Sequence, residues 1–337
     1  MTMNKKTAVV IPNWNGAEYL RDSLASLERQ SASCRIIVVD NGSTDGSQEL
    51  LRAHHPKVTL IQLDRNYGFA GGVNRGINQA LQEGAEFIAL FNNDAVAEPD
   101  WLGQLLAAAK EHPDAGIVTG KLLNFAGTHF DTTGDYYSIW GFPYPRGRDE
   151  ADQGQFDQPE YVCGATGGAS LYRAAMLRQV GLFDESFFAY YEDVDLSLRA
   201  QLQGWKVYYQ PTAVARHRTG STSSKISGFA RYHSIKNFYY LYIKNMPGSL
   251  FWRYLPRFVV AGLLMLANSL KRGQFGPLVR GYGQVLGHFP GMLAQRWRIQ
   301  RSRTVSTAYF DGLLLHRMPP TQKTLMRLKQ RLTGGLK

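Results

Sequence analysis

The chain has 337 residues, 44% of them hydrophobic and 19% charged, an ordinary globular composition long enough for one large domain plus an appendage. Its two cysteines, Cys34 and Cys163, lie far apart without metal spacing, which excludes a disulfide framework and suits a reducing compartment. Charge is uneven: residues 1–195 hold 15 Lys and Arg against 26 Asp and Glu, whereas residues 196–337 hold 23 against a single acid, Asp311.

The polar start leads directly into the apolar residues 7–11, with no charged segment, long apolar core and small-residue cleavage site, so the protein is expected to stay in the cytosol. Residues 7–12 and 35–40 are short β-branched runs, and between them Leu20, Leu24 and Leu27 fall at helical spacing, giving strand, helix, strand. Residues 58–63 and 87–91 repeat the strand signal, with helices expected over 47–53 and 73–82. This alternation predicts an α/β, mostly parallel sheet whose ligand site lies at the carboxyl ends of its strands, where Asp40 and Asp94 fall.

Over residues 127–160 periodicity fails, Gly, Pro and aromatic residues accumulate, and Asp149, Glu150, Asp152, Asp157 and Glu160 make the stretch acidic; a mobile surface loop near the site is expected. A helix is expected from about Glu192 and a strand over 206–210. After about Met246 the chain reads as a separate helical region interrupted by Pro247, Pro256, Pro277 and Pro290. Its longest apolar run, 258–267, is well short of the ~20 residues needed to span a bilayer.

Several clusters are candidates for chemistry. Asp40-Asn41-Gly42-Ser43-Thr44-Asp45-Gly46-Ser47 joins a strand to a helix; Asp40 can accept hydrogen bonds from a base or ribose, or the whole can be turn chemistry with a helix cap at Ser43 or Asp45. The glycine-rich turn Asn66-Tyr67-Gly68-Phe69-Ala70-Gly71-Gly72-Val73-Asn74 can offer backbone N–H groups to phosphate, but is neither a P-loop nor a dinucleotide fingerprint. Asn92-Asn93-Asp94 ends an apolar strand, and its carboxylate is suitably placed to hold Mg²⁺ or Mn²⁺ against a diphosphate; His217 offers an imidazole to the same cation, or is a structural histidine between two arginines. Of Glu192, Asp193 and Asp195, the last has a structural explanation in an i,i+4 pair with Arg199, and all three favour a helix N-terminus. Glu192 and Asp193 point in different directions on a helix, so one can deprotonate a hydroxyl while the other binds substrate or backbone.

In order over about residues 7–223, the stretches 38–47, 65–74, 91–94, Gly167-Gly168-Ala169, Glu192-Asp193-Val194-Asp195 and His217-Arg218-Thr219-Gly220-Ser221 resemble those of the GT-A inverting glycosyltransferases of family 2, in particular the rhamnosyltransferase-like members. The resemblance implies a Rossmann-like GT-A domain, taken as residues 1–245, and the composition that follows reads as a separate basic amphipathic helical region over 246–337. It implies that Asp193 is the general base, that Asp94 and His217 bind the divalent cation, and that Asp40 contacts the nucleotide base. Pro12, Asn13, Asn66, Gly71, Asn74, Asn93, Gly168 and Glu192 are the accompanying substrate-binding candidates. The substrates implied are a nucleotide sugar such as dTDP-rhamnose and a hydroxyl of a polyprenyl-diphosphate-linked or glycan acceptor in cell-surface glycan synthesis. Two departures stand out: Asn92 replaces the first aspartate of the family's D-x-D signature, and no Q-x-x-R-W motif follows the base, which speaks against a processive synthase.

Residues 249–303 carry nine Lys and Arg and no acid, interleaved with Phe251, Trp252, Tyr254, Phe258, Leu263, Leu264, Phe289 and Trp297. An anionic partner is implied, and the interleaved apolar groups favour a membrane surface over nucleic acid, placing the protein peripherally on the inner face of the cell membrane. The alternative is a helical cap or dimer interface. Two competing functions are a nucleotidyltransferase, disfavoured because the Gly-rich start with paired Arg and Lys is missing near residues 11–16, and a non-enzymatic nucleotide-sugar-binding scaffold, which retention of Asp94, Asp193 and His217 opposes.

Overall fold

A computed structural model describes residues 6–218 and 228–317; Thr219, Gly220 and Ser221 of the last motif lie outside the described residues. The first half alternates as expected: β1 (Thr7–Asn13), α1 (Ala17–Glu28), β2 (Arg35–Asp40), α2 (Ser47–His54), β3 (Thr59–Gln62), α3 (Gly68–Gln82) and β4 (Phe87–Phe91). Next come β5 (Ala95–Ala97), α4 (Trp101–Glu111), β6 (Ala115–Asn124), β7 (Phe130–Thr132), β8 (Asp135–Tyr137), β9 (Pro143–Pro145), β10 (Glu160–Val162) and β11 (Ala169–Arg173). The chain continues through α5 (Ala174–Val180), α6 (Glu192–Leu202), β12 (Lys206–His217), α7 (Phe229–Asn245), α8 (Gly248–Lys271), α9 (Phe275–Arg301) and α10 (Thr307–Leu313).

The main sheet has the order β10-β12-β6-β11-β4-β1-β2-β3, with β5 on β12 and β7 on β6. Strands β3, β2, β1 and β4 are parallel, as predicted. The other half is mixed, because β11 runs antiparallel to both β4 and β6. Alternation along the parallel strands sends Val9, Ile11, Val38 and Phe91 into a core under α1 and α4, and Ala8, Val10, Val39 and Leu90 into a second core under α3 and α5. Both faces are therefore covered, which is why these strands read as continuous apolar runs. Register places Asn13 opposite Asp40, bringing the ends of β1 and β2 to one edge.

Three expectations need correction. Within residues 127–160 the stretch 130–147 is packed, with Phe130, Asp131, Thr132, Asp135, Tyr137 and Ser138 buried and β7 extending the main sheet, whereas residues 153–160 lie mostly exposed. Short strands separated by polar turns leave too little alternation for a periodicity signal. The glycine-rich stretch from Gly68 onward is the first turns of α3, where Gly68 (φ +76°) sits so close to the Phe188 carbonyl that a Cβ would lie 2.3 Å from that oxygen. Finally, the apolar run at 258–267 is part of α8, 24 residues in one helix and by length and composition sufficient to cross a membrane. Pro247 caps α8 and Pro277 lies in the first turn of α9, where a missing N–H costs little, and Pro256 and Pro290 sit inside the two helices without ending them.

Helices α7 to α10 share a third core with Tyr137, Cys163, Phe187, Val194 and Leu198 of the preceding chain. One stripe of α8, Leu250, Tyr254, Phe258, Ala261 and Met265, is buried in it. The opposite side exposes Trp252, Val259, Val260, Leu263, Leu264 and Leu270, and α9 exposes Phe275, Val279, Leu286, Phe289, Leu293 and Trp297.

Candidate active site

A cleft of about 570 Å³ opens at the carboxyl ends of the parallel strands. Pro12, Asn13, Asn66, Asn93, Asp94, Gly168, Glu192, Asp193 and His217, separated by as much as two hundred residues of chain, all line it. Asn93 donates to the Asn13 side-chain oxygen (2.7 Å), and Asn13 in turn donates to Asp40 Oδ2 (3.0 Å). Asp40, Gly71 and Asn74 stand behind the wall. Asp40 is fully buried and already accepts from Asn13, the Ser43 N–H and Gln48, so it shapes the turn after β2. Asn74 clamps Phe183 through both its carbonyl and its N–H, and Gly71 permits α3 to close on Tyr67.

At the start of α6 three carboxyl groups have different fates. Asp195 is buried in a network with Arg199 (2.8 Å), Lys244 (2.9 Å) and Asn245 (2.8 Å), so its role is structural. Asp193 accepts from the Gly167 N–H and the Val194 N–H, both at 2.8 Å. Burial pushes Asp193 above the usual carboxylate value, but those two N–H groups pull the other way. Burial, then the Asp193 charge, pushes Glu192 and Asp135 well above that value, against smaller opposing pulls from a backbone N–H and Lys236 at Glu192 and from Arg148 at Asp135. Of these three neighbours Asp193 is the one that accepts from two backbone N–H groups, bonds that favour the charged form a general base requires.

The loop ahead of α6 is strained. Phe188, Tyr190 and Tyr191 all have positive φ, a conformation costing about 1–3 kcal/mol per residue that persists only when the surroundings enforce it. The enforcement comes from α7: the Asn237 side-chain amide donates to the carbonyls of Phe187 (3.1 Å), Ala189 (2.8 Å) and Tyr190 (2.6 Å), and Lys236 donates to those of Ser186 (2.5 Å) and Phe187 (3.2 Å). Burial lowers the Lys236 ammonium to about 8.

On the other side, the end of β12 pairs with β5 and brings His217 to Asp94. The imidazole Nε2 lies 3.0 Å from Asp94 Oδ1 and its Nδ1 2.8 Å from Asp131 Oδ2. Burial alone would lower this imidazole, but its bonds to Asp131 and Asp94 carry it up to about 9. Asp131 is also paired with Arg148 (2.7 Å). Among the described residues no group of three His, Cys, Asp or Glu side chains could enclose a metal by itself. The pair nonetheless fits a cation that arrives with a diphosphate, since Mg²⁺-type sites take one or two protein ligands plus substrate oxygens and water. A ligating imidazole commonly donates its second N–H to a carboxylate, the part Asp131 plays for His217.

Sequence reasoning missed Asp131, Asp135 and Arg148, which come from the segment without periodicity, and Asn41, whose amide donates to the Gly68 carbonyl (3.0 Å) and ties the two glycine-containing turns together. Asn41 stands next to Asp40 in a quoted motif and was legible in that sense; the other three carried no signal.

A sheet of this topology, with a cleft at its strand ends, an acid pair opening a helix and an acid–imidazole pair opposite, defines a GT-A glycosyltransferase. The chain belongs to glycosyl transferase family 2, whose family model matches residues 8–181. It is 28% identical over 283 residues to the N-acetylglucosaminyl-diphospho-decaprenol L-rhamnosyltransferase of Mycobacterium tuberculosis, covering 78% of this chain and 91% of that one. It is 26% identical over 251 residues to the dTDP-rhamnosyl transferase RfbF of Shigella flexneri, covering 72% of this chain and 82% of that one. Among solved structures, S. aureus TarS 1-349 matches with a TM-score of 0.54 at 17% identity, over 88% of this chain and 90% of that one. The mannosyltransferase PcManGT of Pyrobaculum calidifontis, solved with GDP-Man and Mn²⁺, matches at 0.53 and 14% identity, over 96% and 87%. The protein is thus a rhamnosyltransferase-like glycosyltransferase with a GT-A fold and a C-terminal helical region, which sets aside the nucleotidyltransferase and scaffold readings.

Proposed function

We propose that the protein is an inverting, single-addition rhamnosyltransferase that moves rhamnose from dTDP-rhamnose to a hydroxyl of a diphospholipid-linked sugar in cell-surface glycan synthesis. The observation that carries this reading is the Asp193 carboxylate, bonded by two backbone N–H groups at the rim of a cleft that also holds Asp94 and His217. Asp193 takes the proton of the acceptor hydroxyl as that oxygen bonds to the anomeric carbon from the face opposite the diphosphate. The bond from the anomeric carbon to the diphosphate oxygen breaks in the same displacement, releasing dTDP and inverting the configuration. Asp94 and His217 would hold a Mn²⁺ or Mg²⁺ ion, which supplies positive charge to the leaving diphosphate. Pro12, Asn13, Asn66, Asn93, Gly168 and Glu192 form the walls for donor and acceptor; Asp40, Gly71 and Asn74 support them from behind. The names of the relatives support the choice of sugar and lipid-linked acceptor.

Residues 1–245 are read as the catalytic domain and 246–337 as the region that meets the membrane. The exposed apolar side of α8 and α9 is flanked by Arg253, Arg257, Lys271, Arg272, Arg280, Arg298 and Arg301, a composition suited to helices lying at an anionic bilayer on the cytoplasmic face. The decisive assay incubates purified protein with dTDP-rhamnose, Mn²⁺ and an N-acetylglucosaminyl diphospholipid and follows the lipid mass. Addition of one rhamnose by the wild type, and none by Asp193→Asn despite undiminished thermal stabilisation by dTDP-rhamnose, is the expected result. Transfer by Asp193→Asn at the wild-type rate would remove Asp193 as base; stabilisation by UDP- or GDP-sugars instead of dTDP-rhamnose would change the donor.

A further inference from the structure

Asp135 opens β8, in the stretch whose sequence shows no periodicity, yet it lines the same cleft as Asp193. Its backbone is fixed by a reciprocal pair of hydrogen bonds: the Asp135 N–H donates to the Gly164 carbonyl (2.8 Å) and the Gly164 N–H donates back (3.0 Å). Asp135 is 7% exposed, and among the described residues its carboxyl group has no hydrogen-bond or ion-pair partner. Glu192 Oε2, in the wall of the same cleft, is also buried without a partner. Buried polar atoms are ordinarily satisfied, so the orphaned Glu192 oxygen, beside an Asp135 carboxyl group that lines the same cleft without a partner among the described residues, marks where a ligand supplies the missing partners.

We propose that Asp135 is an acceptor-binding residue, offering its carboxyl group to a hydroxyl of the acceptor sugar next to the one that Asp193 deprotonates. This rests on reading the cleft as a glycosyl-transfer site. A group beside the base contacts whatever the base deprotonates, and the base lies on the face away from the departing diphosphate. The charged and titratable groups around Asp135 are Asp193 on α6, Asp131 on β7, Arg148 after β9, and behind it Cys163 and Tyr172. Burial first, and the Asp193 charge second, push the Asp135 carboxyl well above the usual carboxylate value, against the opposing pull of Arg148, and so favour its protonated form. A protonated carboxyl both donates and accepts, which matches a sugar hydroxyl, itself donor and acceptor.

The test uses the full-length protein with dTDP-rhamnose, Mn²⁺ and a short-chain N-acetylglucosaminyl diphospholipid. Three quantities are measured: donor affinity, slow hydrolysis of the donor to free rhamnose, and transfer as a function of acceptor concentration. Asp135→Ala is expected to raise the acceptor KM about tenfold while donor affinity and hydrolysis stay within about twofold. Asp135→Asn keeps a donor and an acceptor in the same place and is expected to bring the acceptor KM back to within about threefold of wild type. An unchanged acceptor KM in Asp135→Ala overturns the proposal. So does an equal loss of donor affinity, which would make Asp135 a support of the whole cleft, and so does failure of Asp135→Asn to rescue. A wild type that binds the donor but neither hydrolyses nor transfers rhamnose overturns the rhamnosyltransferase reading as well, whereas normal wild-type transfer with an indifferent Asp135→Ala overturns this inference alone.

Discussion

Replacing Lys244 by Met should reveal how strongly the helix that carries Asp193 is anchored. Lys244 is 1% exposed and its ammonium lies 2.5 Å from Asp184 Oδ2 and 2.9 Å from Asp195 Oδ1, the latter carboxylate being completely buried. Methionine nearly matches the volume but leaves Asp184 without its counter-ion and Asp195 with Arg199 and Asn245 only. Removing one partner of a buried pair costs about 3–5 kcal/mol, because the charge left behind stays desolvated. At ~2–4 °C per kcal/mol for a chain of moderate size, Tm should fall by on the order of 10 °C. Urea unfolding at pH 7 measures the loss, and adding Asp184→Asn to the Lys244→Met chain should restore part of it. The pH dependence has a definite sign. Burial opposes ionisation at Asp184 and Asp195, but Lys244, joined at Asp195 by Arg199, holds both below the ordinary carboxylate range. Their contribution is therefore fully present above about pH 4, the ordinary Asp value, and is lost as pH falls through the depressed folded values. Lys244→Met should flatten that acid limb. A loss under about 1 kcal/mol, or an acid limb as steep as that of the wild type, would refute the assignment of this network as the anchor of α6.

Asp131→Asn should leave the fold intact and raise the Mn²⁺ concentration needed for half-maximal transfer by about 10–100-fold, read from metal titrations of chelator-treated enzyme, because the amide no longer accepts and orients the His217 Nδ1 proton as a charge. Asn237→Ala removes the donor to three carbonyls of the strained loop and should lower stability by about 1–3 kcal/mol and reduce kcat more than the acceptor KM, measured by urea unfolding and initial rates. Changing Leu264 and Trp297, 64% and 62% exposed, to Glu should leave soluble-phase donor binding unchanged and abolish sedimentation with phosphatidylglycerol vesicles; retained sedimentation would remove the α8–α9 face as the membrane contact.

What the sequence disclosed and what it concealed follow from local physics. Strands β1, β2 and β4 are covered on both faces, so their apolar runs and the polar residues at their ends stand out, and Asn13, Asn93 and Asp94 were found there. Glu192 and Asp193 are legible because acids favour the first turn of a helix. The local residues did not separate their roles, which only the resemblance assigned; a physical distinction lies in the Gly167 N–H, 26 residues away, that bonds to Asp193. Asp131 and Asp135 were hidden for another reason: β7 and β8 are three residues each, too short to alternate visibly. Asp40 and Asn74 were recognised as important, but burial shows them bonded to protein groups on the inner side of the cleft wall. The extent of α8 was misjudged because proline was read as an interruption, whereas the helix continues through Pro256.

Helix α6 is closed from the far end of the chain. The Thr304 N–H donates to the Leu202 carbonyl (3.0 Å), Tyr309 to Gln201 (2.7 Å), and Gln300 to the Asn245 carbonyl (3.2 Å) behind the Asp195 network. During synthesis the parallel strands of the amino-terminal half can pair as soon as they leave the ribosome, but the inner surface of the helix bearing Asp193 stays uncovered until residues near 310 emerge. Completion of the cleft is in this way a property that arrives last, and a nascent or prematurely ended chain would hold a formed sheet with the Asp193 helix unsupported.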